Sequence, residues 1–327
     1  MEPVTSKSEG LSVSALICTA DRPQGVVAAI ESILRSRGDF VELIIVDQGH
    51  DEQSRHAIEP FLRDARVVYI RSATKGKGHA LNIGIERAKS ELVAITDDDC
   101  EVNEDWPNRL VAPMQNNPNV ALTYGQVLAG EHDELAGFIP TYVFDEDREC
   151  RGLVGKVTAR GIGANTALRR RAIQQLGGFD SELGPGGRFY ACLDGDMTVR
   201  ALLAGYTVYE TTSATLIHHG FRTWAQGHRL AYRSFFGIAA AYAKPVRCGR
   251  MEVVPVLLVE FFRHALVPFA RAAVTLRRPF GWQRVKGFCD GLWSGFTTPI
   301  DRQALTFRPS RPRSKHDVET YAGNDGA

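Results

Sequence analysis

The sequence predicts an α/β fold: a mostly parallel central sheet flanked by helices, with a helical appendage at the C-terminal end. Over the first hundred residues, short apolar, β-favouring runs alternate with segments of helical period. Such alternation implies parallel strands crossed by helices with right-handed connections. Each apolar run ends in a polar, charged or glycine-rich cluster. Beyond residue 220 the legible patterns are helical, apolar and basic, and between Lys244 and Lys315 basic residues outnumber acidic ones by roughly three to one.

The elements follow in order. Leu11–Cys18 reads as a first strand. Gln24–Ser36 carries Val26, Val27, Ile30, Ile33 and Leu34 at helical spacing, with Asp21 and Pro23 placed to start the helix. Val41–Val46 is a second strand, Glu52–Leu62 a weaker helix, Arg66–Ile70 a third strand, Gly78–Lys89 a helix and Leu92–Thr96 a fourth strand. Val120–Val127 is a strand, Glu131–Glu149 is irregular, and Arg169–Leu176 is a basic helix ended by Gly177-Gly178. Asp194–Gly205 is a helix that opens with two acids, and Tyr206–Tyr209 and Ala214–Ile217 are short strands. Trp224–Tyr242 and Val253–Leu276 read as helices.

The 327 residues carry a formal charge of +1, which gives no global pull toward nucleic acid. The cysteines Cys18, Cys100, Cys150, Cys192, Cys248 and Cys289 form no Cys-x-x-Cys and read as reduced thiols of a cytoplasmic protein. The apolar stretch from Val253 to Phe269 is interrupted by Glu260, Arg263 and His264 and is short against the roughly 20 apolar residues a bilayer needs. A helix lying on the cytoplasmic face of a membrane and one packed on the domain or on a second subunit both remain open.

Ligands of such sheets sit outside the carboxyl ends of the strands. Here those ends are Thr19-Ala20-Asp21-Arg22, Asp47-Gln48-Gly49, the segment from Arg71 to Gly78, and Asp97-Asp98-Asp99. Three adjacent carboxylates repel one another and resist burial, and a divalent cation is the usual compensation. Arg22, Lys75, Lys77 and the glycine amides would form an anion site on the same edge. Cations plus a metal at a strand edge suit a diphosphate.

The set of motifs resembles the family 2 glycosyltransferases of the GT-A fold. It comprises the opening strand, Glu42-Leu-Ile-Ile-Val-Asp47, Asn82-Ile-Gly84, Thr96-Asp-Asp-Asp-Cys100 with Asp105-Trp106, Gly163-Ala-Asn165, Gly177-Gly-Phe-Asp180, Asp194-Gly-Asp196 and His218. The resemblance covers about residues 11–220. It implies a catalytic domain with a donor half over 11–118 and an acceptor half over 119–220, between a loose tail at 1–10 and a helical region at 221–310; a loose tail at 311–327 closes the chain. It implies a nucleotide-diphosphate sugar as donor, with Mn²⁺ or Mg²⁺ held by Asp97, Asp99 and His218, and with Asp98 toward the ribose. By the same resemblance Thr19, Ala20, Arg22, Asp47, Lys75, Lys77 and Asn82 join Asp97 and Asp98 in donor binding, Asp47 meeting the base. Asp194 would be the general base, and Asn165, Gly186, Gly187 and Asp196 would lie on the acceptor side. UDP is the expected nucleotide, and the acceptor a hydroxyl on a sugar, a lipid-linked group or a small molecule.

Two positions depart from the family pattern. Gln48 stands where a second acid is common, and Leu193 stands where a Glu precedes the catalytic Asp. A register shift of two would make Asp196 the base instead. Asp194 could be only a helix N-cap. His218 and His219 should face opposite ways at a strand end, so no more than one of them can be a ligand at the site. Asn165 either touches substrate or satisfies backbone, and Trp106 reads as core. One base on the far side of the sugar gives single displacement with inversion, and imidazole favours Mn²⁺ over Mg²⁺. The competing readings are a homologue that binds nucleotide sugar or scaffolds a partner without turnover, and a sugar-1-phosphate nucleotidyltransferase, which would need a Gly-rich Arg loop after the first strand.

Overall fold

Four parallel strands form the centre of the fold: β1 (Val13–Thr19), β2 (Phe40–Asp47), β3 (Val67–Ser72) and β4 (Leu92–Asp97), in spatial order β3-β2-β1-β4. The structure, a computed structural model, describes residues 12–37, 40–157, 161–274, 280–309 and 318–322. The expected tail at 1–10 lies outside them. Helices α1 (Pro23–Arg35), α2 (Gln53–Ile58) and α3 (Lys77–Arg87) make the crossovers. The α-helix expected over 52–62 stops at Ile58 and tightens into a 3-10 turn at Glu59–Arg63, because Pro60 supplies no backbone donor.

Beyond β4 the sheet becomes mixed, with the strands Cys100–Val102, Arg148–Arg151 and Asn165–Arg169 each antiparallel to their neighbours. β5 (Cys100–Val102), α4 (Trp106–Asn116) and β6 (Val120–Ala129) are followed by β7 (Gly137–Phe138), β8 (Arg148–Arg151) and α5 (Gly152–Lys156). β9 (Asn165–Arg169) inserts antiparallel between β4 and β6. After α6 (Arg170–Gln175) and α7 (Leu193–Leu203), β10 (Thr207–His218) runs parallel to β6 and antiparallel to β5. The two short strands expected at 206–209 and 214–217 are therefore one strand, with a register slip against β6 between Glu210 and Thr215.

Alternation along β1 sends Val13, Ala15 and Ile17 to one face, against α1 and α4, and Leu16 to the other, against α3. Burying Val13, Leu16 or Ile17 contributes about 1.5–3 kcal/mol each. The C-terminal region shares this core: Ala240, Ala241 and Tyr242 of α8 (Trp224–Arg247) join the cluster of Leu16 and Ile95. α8 follows the two-residue strand β11 (Arg222–Thr223), where Thr223 and Gln226 cap its start reciprocally.

A continuous helical run follows: a 3-10 turn at Met251–Val253, α9 (Val254–Val259), a π segment at Glu260–Leu266 and α10 (Val267–Val274). Its stretch Met251–Arg271 is long and apolar enough to cross a membrane by length and composition, with 22% of its most apolar window buried. That corrects the expectation that nothing here reaches that length. A further helix, α11 (Phe280–Thr297), packs along α8 and was not anticipated. β12 (Ile300–Asp301) and β13 (Thr306–Phe307) form a small hairpin, and β14 (Val318–Ala322) pairs antiparallel with the outer edge of β3. The tail expected at 311–327 is thus in part an edge strand, which covers backbone groups that β3 would otherwise leave open.

One buried ionic cluster ties these layers together. Lys244 of α8, fully buried, is bonded to Asp180 and lies 2.9 Å from Asp196 of α7. Arg200 Nε donates to Asp196 Oδ2 at 2.9 Å, and its other nitrogens donate to the carbonyls of Leu176 and Gly178. The amide of Phe307 donates to Asp180 at 2.8 Å. Asp196 is 2% exposed with both oxygens taken, which removes it from the acceptor site and from the role of base. Replacing Lys244 by Met would leave buried Asp180 without a cationic partner and Asp196 with Arg200 alone. We expect Lys244→Met to lower unfolding stability by about 3–5 kcal/mol in urea titration; a loss near zero would show the cluster to be dispensable.

Candidate active site

The four strand ends converge. Thr19, Ala20 and Arg22 from β1, Gln48 and His50 after β2, Lys75, Gly76 and Lys77 after β3, and Asp97, Asp98 and Asp99 after β4 line one cleft of about 410 Å³. Pro185, Gly186, His218 and Arg222 close its other side. Parallel strand order alone brings the first four groups together; β10 delivers His218.

Each carboxylate of the triplet has its own partners. Asp97 is bonded to Lys77. Asp98, 5% exposed, accepts from Thr19 Oγ1 at 2.8 Å and from Arg22 at 3.0 Å, and burial pushes its pKa up to about 6. Asp99 accepts from Arg22 at 2.8 Å and faces His218 Nε2 at 3.3 Å. Burial opposes its charge, but His218, Arg22 and Arg222 hold Asp99 well below the usual carboxylate range. Burial also opposes a charged His218, yet its bonds to Asp99 and to the Pro140 carbonyl raise its pKa.

Asp99 and His218 fit a divalent cation. The His218 Nδ1–H donates to the carbonyl of Pro140 at 3.0 Å, which fixes the ring and aims Nε2 at Asp99. Cys100 Sγ lies within 4.8 Å of the other two donor atoms, although burial raises its pKa and keeps it a thiol. The space beside the pair depends on Gly220: a Cβ there would lie 2.5 Å from His218 Nε2 and 2.8 Å from Asp99 Oδ2. His219 turns outward to Glu101 at 2.9 Å, so the pair of histidines divides as strand alternation requires. Asp97 lies on the same cleft, but Lys77 occupies its carboxylate.

Asp194 sits in the first turn of α7, partly exposed and beside the cleft rather than in its lining. Burial raises its pKa, opposed by Lys77, while Asp97 adds to the rise and the Gly163 amide lowers it. A Cβ on Gly163 would lie 2.2 Å from Asp194 Oδ1, so glycine is what lets this backbone close on the carboxylate. Leu193, 3% exposed, is core beneath it.

Three expected ligand residues serve the scaffold instead. Asn165, fully buried, accepts from Trp106 Nε1 at 2.8 Å and donates to the carbonyls of Gln126 and Ala214. Asn82 bonds the backbone of Phe179 in both directions at 2.8 Å. Asp47, fully buried, accepts from Tyr69, Arg71 and the Gly49 amide and stands behind the cleft wall. In each case the polar atoms were consumed by bonds to distant residues. Gly186 does reach the cleft, packed on Gly76, while Gly187 lies behind it against Glu182. His50 and Arg222 were missed by sequence reasoning. His50 Nδ1 lies 2.5 Å from Asp21 and its Nε2 accepts from Lys75 at 2.6 Å, a relay no local pattern announces.

The glycosyl transferase family 2 model matches residues 14–177. The chain is 24% identical over 234 residues to the glucosyl-dolichyl phosphate glucuronosyltransferase of Haloferax volcanii, covering 69% of this chain and 75% of that one. It is 22% identical over 289 residues to the beta-monoglucosyldiacylglycerol synthase of a Nostoc species, covering 81% of this chain and 59% of the other. Among solved structures, the mannosyltransferase PcManGT of Pyrobaculum calidifontis, in complex with GDP-Man and Mn²⁺, is similar with a TM-score of 0.57 and 15% identity over 89% of this chain and 88% of its own. GalNAc-T7 with UDP, GalNAc and Mn²⁺ is similar with a TM-score of 0.53 and 17% identity, over 72% of this chain and 48% of its own. The GT-A sheet, the polar strand ends and the family match agree: this chain belongs to glycosyl transferase family 2 and is a glycosyltransferase.

Proposed function

We propose that the enzyme moves a glycosyl group from a nucleotide-diphosphate sugar to an acceptor hydroxyl by single displacement with inversion, using Asp194 as general base. The observation that carries this reading is the meeting of Asp99 and His218 at the mouth of a cation-rich cleft, with Asp194 beside it. Asp99 and His218 would hold Mn²⁺ or Mg²⁺, with Asp97 as a further donor. When bound, the ion supplies Lewis-acid neutralisation of charge on the departing diphosphate. Arg22, Lys75, Lys77 and Arg222 bring positive charge to the same departing group. Asp194 accepts the acceptor's proton, and burial raises its proton affinity toward that task. UDP is the proposed carrier. Two relatives are named for lipid-borne sugars, so a lipid-carried hydroxyl is included among the acceptors.

A binder without turnover is the second reading, and Leu193, an apolar residue at the start of the catalytic helix, is the observation that favours it. Release of nucleoside diphosphate from a panel of UDP-, GDP- and dTDP-sugars, with Mn²⁺ and with EDTA, separates the two. Metal-dependent release from one donor class is expected; tight donor binding with no release under any condition would establish the second reading.

Asp194→Asn should lower kcat by about 10²–10⁴-fold while donor affinity in titration calorimetry is kept. An unchanged kcat would place the base elsewhere. Gly220→Ala should weaken Mn²⁺ affinity by about 10–100-fold with the far-ultraviolet spectrum unchanged, because its methyl group enters the space beside both donors; equal affinity would mean the ion sits elsewhere.

The raised pKa of His218 sets a pH signature. Its neutral, ligating form prevails only above that raised value, so Mn²⁺ affinity should keep climbing with pH beyond about 6.5. In EDTA the linkage runs the other way. The His218 contribution to stability is complete below about pH 6.5 and fades as pH rises through the folded value. The Asp99 contribution is present above about pH 4 and is lost only in stronger acid. The stability margin of the wild type over His218→Asn, measured in urea with EDTA, should therefore be widest between these limits; a margin that widens above neutrality contradicts the ion pair.

A further inference from the structure

A second cavity, of about 390 Å³, lies between α8 and α11 and is lined by His228, Arg229, Tyr232, Arg233, Gln283 and Lys286. None of these residues lines the donor cleft. Lys286 is bonded to Asp290, which also accepts from Tyr232 at 2.8 Å, and Arg233 lies over the Tyr190 ring at 5.0 Å. The cavity is therefore cationic, with an aromatic wall.

Its rim continues into an apolar face. On α11 the exposed residues Trp282, Lys286, Cys289, Trp293 and Phe296 recur at alternating steps of four and three, which places them on one side of the helix. Trp293 is 75% exposed and Trp282 50%. The opposite side is locked: Gly291 leaves so little room that a Cβ would lie 2.1 Å from the Phe236 carbonyl of α8. The run over 251–274 adds Leu258, Phe262, Val267 and Val274 to the exposed set, and it adjoins α11 where Phe269 meets Trp282 at 5.9 Å between ring centroids. Its inner side is pinned to the protein through Val253, Val256 and Ala265. The run is interrupted by Glu260, Arg263 and His264 and lies against the globular body along its inner side, so length alone does not make it a spanning segment. The geometry instead suits a layer lying in the plane of an interface.

We propose that this face docks on a bilayer containing anionic phospholipid: the aromatic and aliphatic side chains enter the boundary region, and the α8–α11 cavity receives a lipid phosphate. Charge selects this occupant. From Trp224 to Ile300 the only acidic residues are Glu252, Glu260 and Asp290, Glu260 is buried, and Asp290 is tied to Lys286. Arg229, Arg233, Arg263, Arg271 and Lys286 are exposed around the apolar face. A two-fold contact with a second copy would set these like charges against their own images, whereas phosphate headgroups complement them. Tryptophan is also the residue best suited to the boundary between headgroup and acyl chain. The proposal is independent of the chemistry in the donor cleft.

The test is sedimentation of the full chain, in EDTA and without donor, with vesicles of phosphatidylcholine alone or mixed with phosphatidylglycerol. Binding is expected to the mixed vesicles, weakened by high salt, with a blue shift in tryptophan emission. The double variant Phe262→Glu with Trp293→Glu should bind mixed vesicles at least about tenfold more weakly while keeping its far-ultraviolet spectrum. Arg229→Glu with Arg263→Glu should remove the preference for phosphatidylglycerol. Absence of binding to mixed vesicles, or equal binding by the Phe262/Trp293 variant, overturns the proposal. So does a concentration-dependent dimer that the same variant dissociates without any lipid binding, which would assign the face to a second copy. Inorganic phosphate that binds the chain but leaves vesicle sedimentation unchanged would also refute the assignment of the cavity to lipid.

Discussion

Three adjacent carboxylates at the end of a buried strand are the constraint around which this molecule is arranged. Asp97, Asp98 and Asp99 cannot share one environment, because each ionised neighbour raises the free energy of the next. The fold answers by sending them to different partners. Lys77 from the start of α3 takes Asp97, Thr19 and Arg22 from the end of β1 take Asp98, and Arg22 together with His218 from the end of β10 takes Asp99. Every partner comes from another element, so neutralising the triplet and closing the cleft are one event. The same cations, Arg22 and Lys77, leave positive charge on the cleft edge, which suits an anionic group.

Much of this was legible because the physics is local. β1 to β4 are apolar runs with abrupt polar ends, α1 shows its period, and parallel order forces their ends to one edge. The histidine pair at the end of β10 divided as period-two alternation requires. What stayed hidden depends on distant partners. Nothing near Asn165 announces that Trp106 will bond it, and nothing near Asp196 announces Lys244. Asp47 has the family position, yet Tyr69 and Arg71 occupy its Oδ2 and the Gly49 amide its Oδ1. α11 escaped for a different reason: its glycines read locally as breakers, and only the close approach of α8 shows them to be a packing surface. β14 escaped because a short polar segment becomes a strand only when an open edge is offered to it.

The C-terminal helices are coupled to the catalytic domain through charge as well as apolar packing. Lys244 reaches from α8 to Asp180 and Asp196, so the helix that carries Asp194 and the helix on which α11 packs share one buried cation. A change in how α8 sits therefore acts on the frame of α7. Buried ionic clusters are weak sources of net stability but unforgiving of partial loss. This one is better understood as fixing the register between two layers than as strengthening either.

The orientation of Asp194 follows from what precedes it. Tyr190 and Cys192 both adopt positive φ, at 62° and 68°, a conformation that side chains other than glycine resist. Two such residues so close together persist only where surrounding packing over-determines them. Tyr190 lies tilted against Phe236, Phe189 is sandwiched between Phe236 and Phe307, and Leu193 is sunk into the core. The turn is thereby held in a sharp entry to α7, and Asp194 emerges in the first helical turn against the glycine backbone at 163. Burial opposes its charged form and outweighs the pull of Lys77 and of the Gly163 amide, so its pKa is raised. An apolar Leu193 is thus consistent with a working site. It anchors the turn that leads into α7, whereas a Glu at that position would add a third negative charge to a patch that already holds Asp97 and Asp194.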